Sequence, residues 1–358
     1  MLKRLTVRGF KSIRALEDFE LRDLNVLIGA NGAGKSNFIA LFQMLSRLMD
    51  RSLRLFVREQ DGPSALFFGG RKRTKRLEAK FIFDRNGYEF SLVPAGDGLV
   101  LADEATLFFG DSRDSRRSLG SSGQEEAGLP DADDSFATYV RPAVAGWRVY
   151  HFHDTSSSAA VRHGQAVRDN ARLKPDASNL APFLRRLREQ HSAAYRRIVD
   201  TIRSAAPFFG DFVYRQSAEE AMDLEWSEYG DPDTVLGPRQ LSDGTLRFIC
   251  LATLLLQPNH LLPKTLLIDE PELGLHPYAV SLIGALLQEA SEARQVIVST
   301  QSVDLISEFQ PQDIVVVSRR DGESVFERPD PDRLREWLED YALGDLWKMN
   351  VLGGRPAR

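Results

Sequence analysis

The 358-residue chain is predicted to adopt an α/β fold with a mostly parallel core sheet, an antiparallel β patch and a helical insertion. Three observations predict it. Near the start the apolar run NVLI enters a glycine turn and then the helical stretch SNFIALFQMLSRLM. Residues 236–358 repeat this alternation of strands and helices, which implies parallel strands. Between them, LEAKFIFD and GYEFSLVP alternate apolar and polar residues with the period of a strand.

The elements follow in order. LKRLTVRGF and ALEDFEL read as two short strands ahead of NVLIG and its helix. LEAKFIFD and GYEFSLVP form a hairpin, with Asn86-Gly87 expected as a type I′ turn. Gly110 to Ser135 is polar and rich in Gly and Ser, which predicts a mobile loop near 110–135 that holds no core. NLAPFLRRLREQHSAAYRRIVDTIRSAAPFF gives two helical segments with apolar residues on one face and arginines on the other. After LSDG come the apolar helix TLRFICLATLLL, the strand TLLID, a helix from about Pro277, and the strands QVIVS and DIVVVS. There is no heptad array and no short repeat. Residues 1–50 and 236–358 are expected to form one discontinuous core, with 51–235 as a β hairpin and helical insertion.

Composition narrows the classes. A hydrophobic share of 42% and a charged share of 27% sit near globular averages. The single cysteine, Cys250, excludes an intramolecular disulfide and a cysteine-paired zinc site, and suits a reducing compartment. No basic stretch leads into an apolar run at the start, and no apolar run reaches about 18 residues, so the expectation is a cytoplasmic chain that contacts no membrane. The net charge of −5 argues against a protein basic overall, while a local basic stripe leaves nucleic acid open.

GANGAGKS, Gly29 to Ser36, satisfies G-x-x-x-x-G-K-[ST] between an apolar strand and a helix. Glycines let backbone N–H groups turn onto phosphate oxygens, and the helix N-terminus adds a positive dipole. Lys35 then reaches the β- and γ-phosphates, and the Ser36 hydroxyl binds Mg²⁺. Asn31, Gly32, Ala33, Gly34, Lys35, Ser36 and Asn37 are therefore candidates for binding ATP, with Mg²⁺ as its ion. An ordinary glycine turn is the alternative.

TLLIDEPE ends an apolar strand in adjacent carboxylates. Asp269 suits the Mg²⁺ shell, and Glu270 can take a proton from a water in line with the γ-phosphate. A solvated acidic turn is the bland reading, and for Glu272 a surface role stands beside a catalytic one. In LSDGT, Ser242 and Asp243 read as a helix N-cap, which leaves Gly244 unexplained.

The order of phosphate loop, LSDGT and Asp-Glu strand resembles ABC-type ATPases, whose signature is usually LSGGQ; Asp243 and Thr245 depart from it. The resemblance implies a P-loop NTPase of ABC type in which Ser242, Asp243 and Gly244 contact the γ-phosphate held by another subunit, with two ATP sites at a dimer interface. ELGLHP resembles the D-loop of RecF-like and OLD-like ATPases, and VIVSTQSVDLI resembles their switch strand, usually STHSP, with Gln301 at the histidine's place. A glutamine can hydrogen-bond phosphate or water but gains no proton near neutral pH; a surface amide is the alternative. LTVRGFKSI resembles the N-F-[KR]-S strand pair of RecF, OLD and structural-maintenance-of-chromosomes (SMC) ATPases, with Gly9 at the asparagine. That implies Lys11 and Ser12 near the nucleotide, although a solvated edge strand explains them as well.

YALGDLWKMNVLGGRP, Tyr341 to Pro356, together with YHFHDTSSSA and NLAPFLRRLRE, resembles bacterial ATPases of the AAA-21 type. His153 and Asp154 stand where ABC-type folds place the Q-loop, as a polar switch or as a satisfied strand end. Too few residues follow STQS for the Toprim domain of OLD nucleases. A coiled coil with Cys-x-x-Cys is absent, and the insertion is unlike the compact helical domain of transporter ATPases. Any nuclease is then expected on a separate chain.

RKRTKR, Arg71 to Arg76, and RRLR with YRR, Arg185 to Arg188 and Tyr195 to Arg197, read either as a phosphate-tracking surface for nucleic acid or as a solvated face balanced by the 51 acidic residues. The expected function is an ATPase that forms an ATP-sandwiched dimer or higher oligomer, hydrolyses ATP through Glu270 with Gln301, and drives DNA repair or anti-phage defence through DNA or a separate effector protein. A nucleotide-gated scaffold with little turnover is the alternative, and a DNA-stimulated ATPase is a third.

Overall fold

The computed structural model describes residues 1–111, 113–120, 122–215 and 220–354. Two six-stranded sheets organise them. The first is antiparallel throughout, in the order β2-β1-β4-β5-β6-β7, from β1 (Arg4–Phe10), β2 (Ile13–Glu20), β4 (Leu77–Phe83), β5 (Asn86–Ala95), β6 (Gly98–Phe108) and β7 (Ser115–Ser118). The second runs β17-β16-β3-β15-β14-β8, from β3 (Leu24–Ile28), β8 (Arg148–Tyr150), β14 (Thr265–Asp269), β15 (Gln295–Thr300), β16 (Ile314–Arg320) and β17 (Glu323–Glu327). All its pairs are parallel except β16–β17. Small antiparallel pairings join β9 (Gln165–Ala166) to β11 (Ala221–Met222), and β12 (Glu225–Glu228) to β10 (Phe209–Val213) and β13 (Asp231–Leu236).

Alternation along the parallel strands sets the layers. Val26, Ile28, Leu266, Ile268, Val296 and Val298 face one buried cluster, and Leu27, Leu267 and Ile297 face the other. The second cluster holds α1 (Lys35–Met49) and α2 (Leu53–Glu59), together with α3 (Ser135–Ala145), between the two sheets. Trp147 anchors it, with ring centroids 5.0 Å from Phe42 of α1 and 5.4 Å from Phe81 of β4. The first cluster is covered by α4 (Leu180–Gln190), α5 (Ser192–Ala205), α6 (Asp243–Leu256), α7 (Pro277–Ala293) and α8 (Val303–Ser307). Short helices α9 (Pro331–Leu334), α10 (Trp337–Asp340) and α11 (Leu343–Lys348) close the described chain. None of the described helices is long and apolar enough to cross a membrane.

Three details differ from the sequence reading. The β4–β5 turn is Asp84–Arg85, because Phe83 pairs with Asn86, and Asp84 takes the positive φ of 50°. This register sets Leu77 against Leu92 and Ala79 against Phe90. A turn at Asn86-Gly87 would have set them against Gly96 and Pro94, without those apolar partners. In the run expected to be a mobile loop, Ser115–Ser118 form β7 on the edge of β6, and Leu129 is fully buried. The carboxylate of Glu104 fastens this run by accepting from the N–H groups of Gly128 and Leu129 at 2.7 and 3.1 Å. Ser112 and Ser121 of that run, and Arg355 and Pro356 of the C-terminal motif, lie outside the described residues. Sheet membership also crosses residues 50 and 236: β1 and β2 pair into the sheet of β4–β7, and β8 extends the parallel sheet.

Candidate functional site

Parallel strands bring their carboxyl ends to one edge of a sheet, where ligands of open α/β folds bind. Here that edge collects the loop after β3, the Asp269-Glu270 pair after β14, Thr300-Gln301 after β15, and Phe152-His153 beyond β8. The register sets Asp269 beside Ser299 and Ile28 beside Thr300. The sequence motifs therefore meet because four parallel strands end together.

The loop Gly29–Ser36 caps α1, whose first residue is Lys35. Gly34 has φ of 118°, and a Cβ there would lie 2.0 Å from the Ser324 hydroxyl, so only glycine fits. Ser324, on β17, donates to the Ala33 carbonyl at 2.5 Å and lies 2.6 Å from the Ser12 hydroxyl, which accepts from the Asn37 amide at 2.6 Å. Ser12 and Asn37 thus brace the loop from behind. Asn31, Gly32 and Ser36 are exposed, while Ala33, Gly34 and Lys35 are buried. The Lys35 amine donates to the Gly29 carbonyl at 2.6 Å. Burial lowers its pKa, and the charges of Glu270, Asp269 and Glu272 oppose that shift. Lys11 has φ of 47°, and its amine donates to Gln60, the residue capping the C-terminus of α2, at 2.6 Å, with burial lowering its pKa.

At the acidic strand end, the Ser299 hydroxyl donates to the Asp269 carboxylate. Glu270 takes a positive φ of 44°, an uncommon conformation for this residue type, and its carboxylate accepts from the Gln301 amide at 2.7 Å. Glu272 is not a surface residue. Its carboxylate accepts from the Thr300 hydroxyl at 2.6 Å and the Gln301 N–H at 3.2 Å, and burial raises its pKa. The His153 ring lies 3.0 Å from the Asp269 carbonyl, while Asp154 is exposed and accepts from Ser156.

Ser36 and Asp269 offer hard oxygen atoms, and no group of three or more His, Cys, Asp or Glu side chains able to hold a metal occurs among the described residues. Mg²⁺ fits such a sparse set, because it keeps several waters and takes phosphate oxygens.

LSDGT forms its own unit. Ser242 caps α6, its hydroxyl accepting from the Thr245 N–H at 3.1 Å. A Cβ on Gly244 would lie 2.5 Å from the Gly274 carbonyl, so the turn packs on the ELGLHP loop and requires glycine. Among the described residues, no hydrogen bond or ion pair joins Ser242, Asp243 or Gly244 to Gly29–Ser36.

A family model described as "AAA domain, putative AbiEii toxin, Type IV TA system" matches residues 24–307, from β3 through α8. The chain belongs to this AAA-21 family. Among solved structures it is similar to an Smc head bound to the C-winged helix domain of ScpA, with a TM-score of 0.61 at 19% identity over 94% of this chain and 99% of that one. It is also similar to a Pyrococcus furiosus Smc head domain with an extended coiled coil bound to the C-terminal domain of ScpA, at 0.58 and 17%, over 95% and 98% of the two chains. The AAA-21 chain thus has the ABC-type ATPase fold of an SMC head.

Several residues of this AAA-21 site carry no motif. Ser324 reaches the loop from the far end of the chain. Arg247, buried on α6, donates to the carbonyls of Phe152 and His153, each at 2.8 Å, and to that of Leu273, linking three segments. An arginine inside the otherwise apolar TLRFICLATLLL was the available signal. Of the basic clusters, Arg185 pairs with Glu189, Arg197 pairs with Glu289, and Arg186 serves carbonyls of Asn170 and Ala171. The cations of Arg71–Arg76 are exposed and pair with no carboxylate among the described residues.

Proposed function

We propose that this chain is a Mg²⁺-dependent ATPase that forms an ATP-sandwiched dimer and couples nucleotide state to DNA repair or anti-phage defence. The observation that carries the reading is that, among the described residues, the signature turn makes no bond to the phosphate loop of its own chain. Lys35, Asp269, Glu270 and Gln301 share one strand edge, while the exposed Ser242 stands on another unit, braced to that edge through Arg247 and the Phe152-His153 segment. Around that unit, Leu273 and Tyr278 are 45% and 54% exposed, an apolar surface suited to a second copy of the chain.

In the proposed reaction the N–H groups of Gly29–Ser36 and the amine of Lys35 hold the phosphates of ATP. Ser36 and Asp269 would hold Mg²⁺, which supplies charge neutralisation at the transferring phosphoryl group. Glu270 accepts a proton from the attacking water, and the Gln301 amide fixes the carboxylate that does so. Ser242 of one copy meets the γ-phosphate held by the other.

The exposed cations of Arg71–Arg76, which pair with no carboxylate among the described residues, support DNA as a partner, and the Smc heads bound to ScpA domains support a separate effector protein. Cytoplasmic location and assembly beyond a dimer belong to the same proposal. Phosphate release from Mg·ATP, compared between the wild type and Glu270→Gln, tests it. Turnover in the wild type that is abolished in the variant, with ATP binding kept, is expected. ATP-driven assembly without turnover in the wild type would instead favour a nucleotide-gated scaffold.

A further inference from the structure

Asp243 stands where the usual signature has glycine, and among the described residues its carboxylate has one ion-pair partner, Arg162, whose Nη2 donates to it at 2.7 Å. Arg162 is buried, its side chain only 6% exposed against 67% for Asp243. Three further bonds from its Nε and Nη1 go to backbone carbonyls. Nε donates to the Thr155 carbonyl at 2.6 Å, and Nη1 donates to the Leu241 carbonyl at 3.2 Å and to that of Pro238. One guanidinium therefore grips the chain on both sides of Ser242, at Leu241 and at Asp243. The same group reaches the segment Phe152–Thr155, whose His153 ring lies against the Asp269 carbonyl.

We infer that Arg162 is the positioning residue of the signature turn, and that Asp243 serves it as an anchor and is not a ligand of nucleotide. The planar fork of arginine supplies donors in fixed directions to a carboxylate and three carbonyls together, which a lysine ammonium does not reproduce. The clamp fixes where the Ser242 hydroxyl points and ties it to the acidic strand end of its own subunit. This inference rests on the ATP-sandwich reading, because Ser242 needs a fixed direction only if it meets a nucleotide held elsewhere.

Asp243→Asn is the first test, since an exposed side chain can change without threatening the fold. Four quantities are measured: hydrogen exchange of residues 239–246 without nucleotide, ATP affinity of the dilute monomer, ATP-driven dimerisation, and kcat against KM. Faster exchange is expected, with monomer affinity within about twofold and dimerisation and kcat lower by about fivefold to tenfold, the size of removing one charge-assisted hydrogen bond at a partly exposed site. Arg162→Lys should show the same losses, non-additive with Asp243→Asn, and Asp243→Glu should recover part of them. Unchanged exchange and dimerisation in Asp243→Asn would overturn the inference, as would loss of ATP binding by the monomer. If the wild type does not dimerise with ATP, the sandwich reading fails, while the exchange measurement still decides whether the clamp exists.

Discussion

The Gln301 amide donates to the Glu270 carboxylate at 2.7 Å, and Glu270 holds this position with a left-handed backbone, φ 44°. Such strain persists where the surroundings demand it, and here the Glu270 N–H is held by the Ser299 carbonyl at 2.9 Å. Glu270→Gln should keep ATP binding and lower kcat by roughly 10²–10⁴, the range for removing a general base. Phosphate-release assays at saturating ATP check this.

Replacing Gln301 by histidine puts a group that titrates near pH 6.5 where the amide cannot change charge. The ratio of Gln301→His to wild-type kcat is expected to vary between about pH 5.5 and 8. A ratio flat across that range would mean that side chain 301 does not face the reaction.

Glu272 gives a second pH signal, this one in stability. Burial raises its folded pKa above the usual 4.5, so the folded state binds its proton more tightly than the unfolded chain. That contribution is complete below about pH 4.5 and is lost as pH rises through the folded value. The Tm of Glu272→Gln minus that of the wild type should therefore grow with pH over this window in thermal unfolding scans. A difference independent of pH would contradict the buried carboxylate.

Gly244→Ala places a methyl 2.5 Å from the Gly274 carbonyl and must part α6 from the ELGLHP loop. A stability loss of about 1–3 kcal/mol is expected, the cost of overpacking a close approach. Urea unfolding measures it, and a wild-type midpoint would show that the two segments slip apart freely.

Duplex DNA binding, titrated between low and moderate salt, tests the turn Arg71–Arg76. Replacing its Arg and Lys residues with glutamine should weaken binding and flatten the salt dependence by roughly 0.9 in log–log slope for each phosphate that is no longer neutralised. The same change at Arg185 and Arg197, already paired to Glu189 and Glu289, should matter less.

What could be read from the sequence was local. The phosphate loop, the Asp269-Glu270 pair and Gln301 each end a β-strand, and parallel pairing then brings them together without further information. Pairings between residues distant in sequence were invisible. Arg162 meets Asp243 through an insertion whose helices gave no sign of it, and Ser324 meets Ser12 across most of the chain. The resemblance implies Lys11 near the nucleotide, and nothing in the sequence signals that its amine donates to Gln60. The hairpin failed at its turn because Asn-Gly preference is weak beside the pairing of Phe81 with Tyr88 and Leu77 with Leu92. Polarity also misled in the 110–135 run, where Glu104 supplies a buried anchor that composition does not reveal.

The ATP sandwich is tested most directly by mixing two inactive variants. Lys35→Ala removes the amine proposed to hold phosphate, and Ser242→Arg blocks the signature turn. A mixed dimer then pairs the intact Lys35 of one copy with the intact Ser242 of the other, making one complete site. With equal amounts, half the dimers are mixed and each has one good site of two, so turnover should return to about a quarter of the wild-type rate per chain. No recovery from two folded variants, beside an active wild type, would mean that each chain completes its own site and that LSDGT never meets a partner's nucleotide.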